Sequence, residues 1–319
     1  MSTHTATQPL THRAITRVAP ILADPTQRLL GYLAALATVL IWSGYFLSLR
    51  QGALSPLGTL ELTLFRFGVP GLILLPLFIK RWAAIKAVAP IWLVGIAMGA
   101  GLPFFIISAI GMGLAPVAHG STLIPGTAPL FVTGLAVCLF HQPLSSWRRI
   151  GLLIVAAGVV CLLWTAWQGE ASQLLTGQAL FLVCSLLWAL FTISVRQSGL
   201  KPLEVASVVT VPSALLLVLF VAVAQPELSL STVSTQEWLT QLVVQGIAVG
   251  LGAGFLYGFA ISRLGAEITS ALGSLTPVCA TVLALIWLNE SVIVPTLLGL
   301  GLVTVGVIAA SGLLHREAA

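Results

Sequence analysis

The sequence predicts an all-α integral membrane protein in which ten transmembrane helices form two five-helix repeats of opposite orientation. Three observations support this fold class. The chain of 319 residues is 58% hydrophobic and only 7% charged. Charges and turn residues divide it into ten apolar stretches, and motifs of the first half recur in the second.

The composition excludes a water-soluble fold and leaves little room for a nucleic-acid partner. Soluble domains carry about a quarter charged residues, whereas mean hydropathy here is +1.07. The net charge of +5 is explained by the distribution of basic residues described below. The four cysteines fall inside predicted spans without metal-ligand spacing, which favours apolar packing roles.

Ten spans follow from the requirement for about 20 apolar residues to cross the hydrocarbon core. Spans 1 to 5 are predicted at 29–49, 59–79, 91–112, 118–140 and 149–168. Spans 6 to 10 are predicted at 174–195, 205–224, 239–262, 267–288 and 292–314. No charged residue occurs between Lys86 and Arg148, so Gly111, Gly113 and Pro116 are taken to end span 3.

The predicted organisation is a tail, two repeats and a second tail. Residues 1–28 are expected to form a disordered cytoplasmic tail, and residues 315–319 a second one. Residues 29–168 and 174–314 are the two repeats. With the N-terminus inside, 12 of the 14 Lys and Arg residues lie on the cytoplasmic side, as the positive-inside rule favours. Both termini are therefore expected in the cytoplasm.

An internal duplication is visible in three matched stretches. LIWSGYFLSLRQGALSP at 40–56 and LLWALFTISVRQSGLKP at 186–202 share seven identities at an offset of 146 residues, including Arg50 with Arg196. GIAMGAG at 95–101 recurs as GIAVGLG at 246–252, and Pro129, Gly151 and Gly158 recur 148 residues later. An odd number of spans per repeat inverts the second repeat, an arrangement common in secondary transporters.

These stretches resemble the EamA-type transporters of the drug/metabolite transporter superfamily. The resemblance covers residues 30–314 and includes FRFGVPGLILLPLF in span 2 and SLTPVCATVLALIWLNESV in span 9. It implies a bacterial inner-membrane exporter of amino acids, other metabolites or drug-like compounds. It also implies a cavity lined by spans 1, 3, 4, 6, 8 and 9, with spans 5 and 10 peripheral. Gln142 stands where Glu290 would match, so an acidic residue is not expected to be essential in both halves.

The candidate site residues are polar and aromatic side chains within the spans. The predicted cavity residues are Trp42, Tyr45, Arg66, Phe104, His119, Thr122, Trp188, Phe255, Tyr257, Ser270 and Ser274. Pro129 and Pro277 are predicted to gate the cavity or to kink their helices. Structural roles also fit several of these residues: hydroxyl groups often bond to carbonyls of their own helix, and Arg66 could reach lipid phosphate.

Catalysis is not predicted, because no enzyme motif occurs. The chain has no phosphate-binding loop ending in Lys-Ser/Thr and no His-Glu-x-x-His, and we expect no cofactor or metal. The alternatives are drug efflux, sugar-phosphate exchange, or a membrane enzyme or partner subunit. Phosphate should need several intramembrane cations, and only Arg66 is present. The expected partners are a small-molecule substrate and the lipid bilayer, with a homodimer left open.

Overall fold

The computed structural model describes residues 25–167 and 172–311. Most of the predicted N-terminal tail, the end of span 10 and the C-terminal tail lie outside these residues. Within the described ranges the regular structure is entirely helical. Nine of these described helices are long and apolar enough to cross a membrane, and Val294–Ala310 is a shorter apolar tenth. An all-helical, multi-pass membrane fold is therefore confirmed.

The helices follow the predicted spans closely. The first half contains α1 (Pro25–Leu54), α2 (Thr59–Lys80), α3 (Trp82–Lys86), α4 (Pro90–Ala100), α5 (Leu102–Leu114), α6 (Val117–Phe140) and α7 (Ser146–Trp167). The second contains α8 (Ser172–Ser198), α9 (Pro202–Ala224), α10 (Thr235–Gln241), a π-helical segment (Leu242–Ala253), α11 (Gly254–Leu264), α12 (Ala266–Gly273), α13 (Thr276–Trp287) and α14 (Val294–Ala310). Span 3 corresponds to α4 with α5, span 8 to α10 through α11, and span 9 to α12 with α13.

Three spans are irregular, and proline accounts for two of the irregularities. Pro103 lies in the first turn of α5, and Pro277 lies in the first turn of α13. Proline has no N–H, so it is well suited to the first turn of a helix, where that N–H would have no intrahelical partner. The predicted break between spans 3 and 4 is present, because α5 ends at Leu114 and Pro116 precedes α6.

The repeated Gly-x-x-x-Gly pairs lie at close helix contacts. A Cβ on Gly99 would lie 2.4 Å from the Leu187 carbonyl oxygen of α8. In the second half, a Cβ on Gly250 would lie 2.4 Å from Pro70 of α2. Small residues one turn apart let helix backbones approach. The pairs Gly95/Gly99 and Gly246/Gly250 therefore both lie at close helix contacts, although the two pairs face different neighbours.

The pairing of α7 with α14 joins the two halves through matched glycines. A Cβ on Gly151 would lie 2.8 Å from the Gly306 carbonyl oxygen, and one on Gly158 would lie 2.8 Å from that of Gly299. Gly151 and Gly158 are the sequence counterparts of Gly299 and Gly306. Gly151 therefore faces the counterpart of Gly158, and Gly158 faces the counterpart of Gly151. This crossed pairing means that the two helices run antiparallel.

A second antiparallel pairing joins α2 to α9, and a carboxylate secures each of its ends. A Cβ on Gly71 would lie 2.5 Å from Ala214 of α9. At the start of α2, Glu61 Oε1 accepts a hydrogen bond from the Ser229 backbone N–H at 2.7 Å. At the start of α9, Glu204 binds Arg81 Nε at 2.5 Å. Spans 2 and 7 thus each begin with a glutamate that secures one end of the pairing. We call these two contacts the clamps.

The main apolar core extends from the end of the bundle at which α1 finishes to the end at which α8 finishes. We call the first the Arg50 end and the second the Arg196 end. Leu49 and Met112 are fully buried members of the main cluster toward the Arg50 end, and Ile85 is a member toward the Arg196 end. A separate small cluster near the Arg196 end is formed by Ala34, Ala35 and Ala260.

Candidate functional site

Arg66 and Tyr45 lie together among aromatic rings in the middle of the bundle. The Arg66 guanidinium lies over the Phe67 ring, with its carbon 5.2 Å from the ring centroid. Phe67 packs edge-on against Phe105 at 5.7 Å, and Phe105 packs against Tyr45 at 6.5 Å. The two predicted site residues are therefore connected through α1, α2 and α5 by two phenylalanines.

Arg66 is a half-buried cation without a carboxylate partner in the described part of the chain. Its Nη1 atom is buried and has no hydrogen-bond partner. The Tyr45 hydroxyl, Ser108 Oγ and Gln245 Oε1 are also buried, and Ser108 lies within hydrogen-bonding reach of the Tyr45 hydroxyl. Gly250 keeps the approach open, because a Cβ there would lie 3.3 Å from Nη1. A cation beside buried hydroxyl and amide groups is suited to an anionic ligand.

The two predicted tryptophans each pack against an aromatic residue of the opposite half. Trp42 lies 5.1 Å from Tyr257 between ring centroids, and Trp188 lies 5.6 Å from Phe104. Both tryptophans are half-buried. These aromatic pairs join spans 1 with 8 and 6 with 3, so four of the predicted cavity residues lie where the halves meet.

Phe255 does not join these residues, since its side chain is 65% exposed. Tyr257 instead occupies the place opposite Trp42. The π-helical segment before α11 explains the difference: its i→i+5 hydrogen bonds put more residues into each turn. The offset of 151 residues that aligns the glycine motifs therefore pairs Phe104 with Phe255 in sequence, but it does not place the Phe255 side chain at the equivalent position in the bundle.

The candidate serines of span 9 lie on α12 or directly after it, beside a residue that approaches Trp42. A Cβ on Gly273, the last residue of α12, would lie 3.9 Å from the indole of Trp42. Ser274 donates to the Ala271 carbonyl at 2.6 Å. Ser270 is half-buried on the same short helix. The bond made by Ser274 matches the structural alternative for such residues.

His119 and Thr122 lie in α6, and His119 lines a cavity that contains neither Arg66 nor Tyr45. His119 is 4% exposed and its Nδ1 lies 2.9 Å from Gln178 Nε2. Gln178 also donates to the Leu162 carbonyl at 2.7 Å. Thr122 is fully buried, and its hydroxyl has no partner among the described residues. The cavity beside His119 has a volume of about 140 Å³ and is lined by Pro116, Ala118, Thr165, Leu174, Ser291, Ile293 and Thr296.

The matched prolines occupy different positions in their helices. Pro129 lies inside α6 together with Pro125. Pro277 lies in the first turn of α13, immediately after the interruption that follows α12. An internal proline frees a backbone carbonyl, whereas a proline in the first turn does not remove an intrahelical bond. A common role for the pair remains a prediction.

Sequence reasoning missed an ion pair that joins the halves at the Arg50 end. Arg50 Nε donates to Glu290 Oε1 at 2.8 Å, and Arg50 Nη1 donates to the Met112 carbonyl. The second carboxylate oxygen, Glu290 Oε2, accepts from the Val117 backbone N–H at 2.9 Å. The Arg50 and Glu290 side chains are only 14% and 12% exposed. The available signal was the acidic residue in LNES, which has no acidic counterpart in the first half.

A glutamine pair adds a second contact at the same end. Ser48 donates to Gln241 Oε1 at 2.7 Å, and Gln241 Nε2 donates back to the Ser48 carbonyl at 2.7 Å. Gln245, one turn further along the helix, lies 3.3 Å from the Ser48 hydroxyl. All three side chains are buried. Spans 1 and 8 are thus joined by polar contacts within the apolar bundle.

Comparisons with known proteins agree with the fold and with the duplication. Residues 29–164 and 175–312 each match the model of the EamA-like transporter family. None of the curated proteins is significantly similar to this chain in sequence. A solved crystal structure covers 93% of this chain and 99% of its own, with 21% identity and a TM-score of 0.58. At that identity the similarity concerns the fold alone.

Proposed function

Because the chain belongs to the EamA-like transporter family, we propose that it is a secondary transporter that exports small metabolites across a bacterial inner membrane. Amino acids or related compounds are the proposed substrates. The halves act as inverted five-helix repeats that alternately expose a central site to each side. Both termini lie in the cytoplasm, as the distribution of basic residues favours. No step of this proposal requires catalysis.

The observation that carries the proposal is the exchange of glycine partners between α7 and α14. Gly151 faces Gly306 while Gly158 faces Gly299. If Gly151 and Gly158 are exchanged with their counterparts, these two contacts map onto each other. A two-fold axis perpendicular to two antiparallel helices has this property. Such an axis in the membrane plane is the symmetry of inverted repeats.

The α2–α9 pairing is consistent with the same two-fold axis and is a second contact between the halves that obeys it. Glu61 and Glu204 begin corresponding helices and secure opposite ends of the pairing. Spans 2 and 7 therefore flank one side of the bundle, and spans 5 and 10 pair on another. The remaining six spans include those that carry Trp42 and Trp188. We assign the two pairings to a frame and the six other spans to the moving cavity walls.

Arg66 is the proposed anchor for an anionic group of the substrate. A carboxylate would pair with the guanidinium, whose Nη1 has no partner, and would lie near the buried Tyr45 and Ser108 hydroxyls. A single cation suits a monoanion better than a phosphate dianion, which favours carboxylates over sugar phosphates. The aromatic pairs formed by Trp42 and Trp188 would contact the remainder of the substrate. His119 lies outside this grouping and belongs to the second cavity.

Two experiments test the proposal. Reporter fusions at residues 85 and 230 should lie on opposite sides of the membrane, with residue 85 and both termini in the cytoplasm. Purified protein in liposomes should then move a member of an amino-acid and metabolite panel, assayed with and without a pH gradient. Fusions at 85 and 230 reporting the same side would refute the inverted arrangement. Correct topology with no flux of any panel member would refute the substrate assignment.

A further inference from the structure

The first half contains a position equivalent to Glu290 of the Arg50 ion pair, and Gln142 occupies it. His141 and Asn289 are counterparts, and both adopt the left-handed conformation at the end of their helix, each with φ of 51°. The following residues, Gln142 and Glu290, also donate equivalent backbone hydrogen bonds, to the carbonyls of Ala136 and Ala284. The backbone at the two positions is therefore alike, and the carboxylate is present at only one of them.

The arginines at the two ends are correspondingly different. Arg50 is mostly buried and bound to Glu290. Its counterpart Arg196 is exposed, as is Gln142, and Arg196 forms no ion pair with any residue that the structure describes. A glutamine oxygen can accept a hydrogen bond from an arginine, but it carries no negative charge and so lacks the ion-pair attraction of a carboxylate. The chain thus has one complete ion pair where the duplication supplies two sites.

Helix packing follows the same asymmetry. α1 packs against α5 and α6 near Arg50, whereas its counterpart α8 has no comparable packing with α11, α12 or α13 in their described parts. The reciprocal bonds between Ser48 and Gln241 strengthen the Arg50 end further. In the frame, by contrast, a carboxylate is present at both ends of the α2–α9 pairing, Glu61 at the Arg50 end and Glu204 with Arg81 at the Arg196 end. The missing carboxylate is therefore a feature of the six spans assigned to the cavity walls.

We propose that Arg50 and Glu290 form a one-sided latch that holds the Arg50 end of the cavity closed and makes the form open at the Arg196 end the resting state. The latch rests on the alternating access proposed above. Glu290 lies in the second half and joins α1, α5 and α6 of the first through Arg50 and the Val117 N–H. Opening that end requires these bonds to break. Gln142 leaves the opposite end without an equivalent ionic contact.

The test measures distances between paired spin labels in lipid nanodiscs, in a background in which the four native cysteines are replaced. Labels at Leu54 and Ile293, both exposed, report on the Arg50 end. Labels at Thr192 and Ser262, also exposed, report on the Arg196 end. The parent should show a short distance for the first pair and a long distance for the second.

Two substitutions should shift these distances in a related way. Glu290→Gln weakens the latch and should raise the ratio of open to closed forms at the Arg50 end about tenfold, because the amide accepts a hydrogen bond but no longer pairs with the Arg50 charge. Gln142→Glu adds the missing carboxylate at the position that corresponds to Glu290, where closure of the Arg196 end would let it pair with Arg196. It should shorten the second distance and lengthen the first. The matched control Gln142→Glu with Arg196→Gln should behave like the parent, because the new carboxylate then has no partner.

The outcomes separate the latch from the transport mechanism. The latch is refuted if Glu290→Gln leaves the distances unchanged while the parent still transports, or if Gln142→Glu acts equally with and without Arg196. Distances that never change in any variant, together with absent flux in liposomes, would instead refute alternating access itself. A shift that depends on both Arg196 and the new carboxylate supports the latch.

Discussion

The α7–α14 pairing allows a quantitative test of the proposed two-fold axis with alanine substitutions. At Gly158, a new Cβ would lie 2.8 Å from both the Gly299 carbonyl oxygen and Val303 Cγ2. The carbonyl belongs to backbone and cannot rotate away, so the helices must separate. Overpacking of this kind costs about 1–3 kcal/mol. At its counterpart Gly306, a new Cβ would lie 2.7 Å from the Val155 backbone nitrogen, so Gly306→Ala should cost a similar amount.

Gly301 provides the matched control on α14. A Cβ there would contact nothing within 4 Å. Replacing a helical glycine by alanine gains up to about 1 kcal/mol of helix propensity, and this gain is common to Gly158→Ala and Gly301→Ala. The difference of about 1–3 kcal/mol between the two variants therefore isolates the close contact.

The assay is the free energy of unfolding, obtained by SDS titration in mixed micelles with far-ultraviolet circular dichroism. Gly301→Ala should unfold at a higher SDS fraction than the parent, and Gly158→Ala and Gly306→Ala at lower fractions. Equal shifts for Gly158→Ala and Gly301→Ala would contradict the close approach. A large difference between Gly158→Ala and Gly306→Ala would contradict the symmetry of the pairing.

Two further predictions concern the central cavity. Arg66→Leu should insert into the membrane as well as the parent but lower export of a carboxylate substrate at least about tenfold, and an abundant variant with parental flux would refute the assignment. Trp42→Ala and Trp188→Ala should impair export without reducing membrane abundance, and Trp188→Phe should retain much of the flux. Loss of abundance in proportion to loss of flux would favour a packing role.

The helices were predictable because their signals are local. Apolar length, charge and turn residues define a span without reference to the rest of the chain. The Gly-x-x-x-Gly pairs likewise predict close packing from spacing alone. The spacing does not predict which helix each pair contacts: Gly99 packs against α8, whereas its counterpart Gly250 packs against α2. The duplication relates positions within each half, but it does not determine how far a helix shifts toward one neighbour or another.

The candidate site was predictable only in part, because it depends on contacts between distant residues. Trp42 and Trp188 occupy matched positions of spans 1 and 6, and both pack against an aromatic residue of the opposite half. The Arg50–Glu290 pair joins residues 240 positions apart, and periodicity carries no signal over that separation. Gln178 was missed because a single amide in an apolar span has many possible partners, here His119 and the Leu162 carbonyl. Such pairings appear only when the helices are packed.

The last prediction concerns the clamps at the two ends of the α2–α9 pairing. Glu204 accepts the Lys201 backbone N–H at 2.9 Å and also binds Arg81. Glu61 accepts only a backbone N–H, from Ser229, among its described bonds. A glutamine keeps one acceptor oxygen at either position but loses the charge.

Glu204→Gln should therefore destabilise the protein more than Glu61→Gln, although Arg81 is 42% exposed and an exposed ion pair contributes at most about 1 kcal/mol. The double-mutant cycle of Glu204→Gln with Arg81→Gln measures that coupling directly in the SDS titration. Raising the salt concentration should reduce the coupling, since partly exposed charges are screened. A coupling near zero at low salt would mean that the Lys201 N–H alone secures this end, and the two clamps would then be equivalent in chemistry as well as in position.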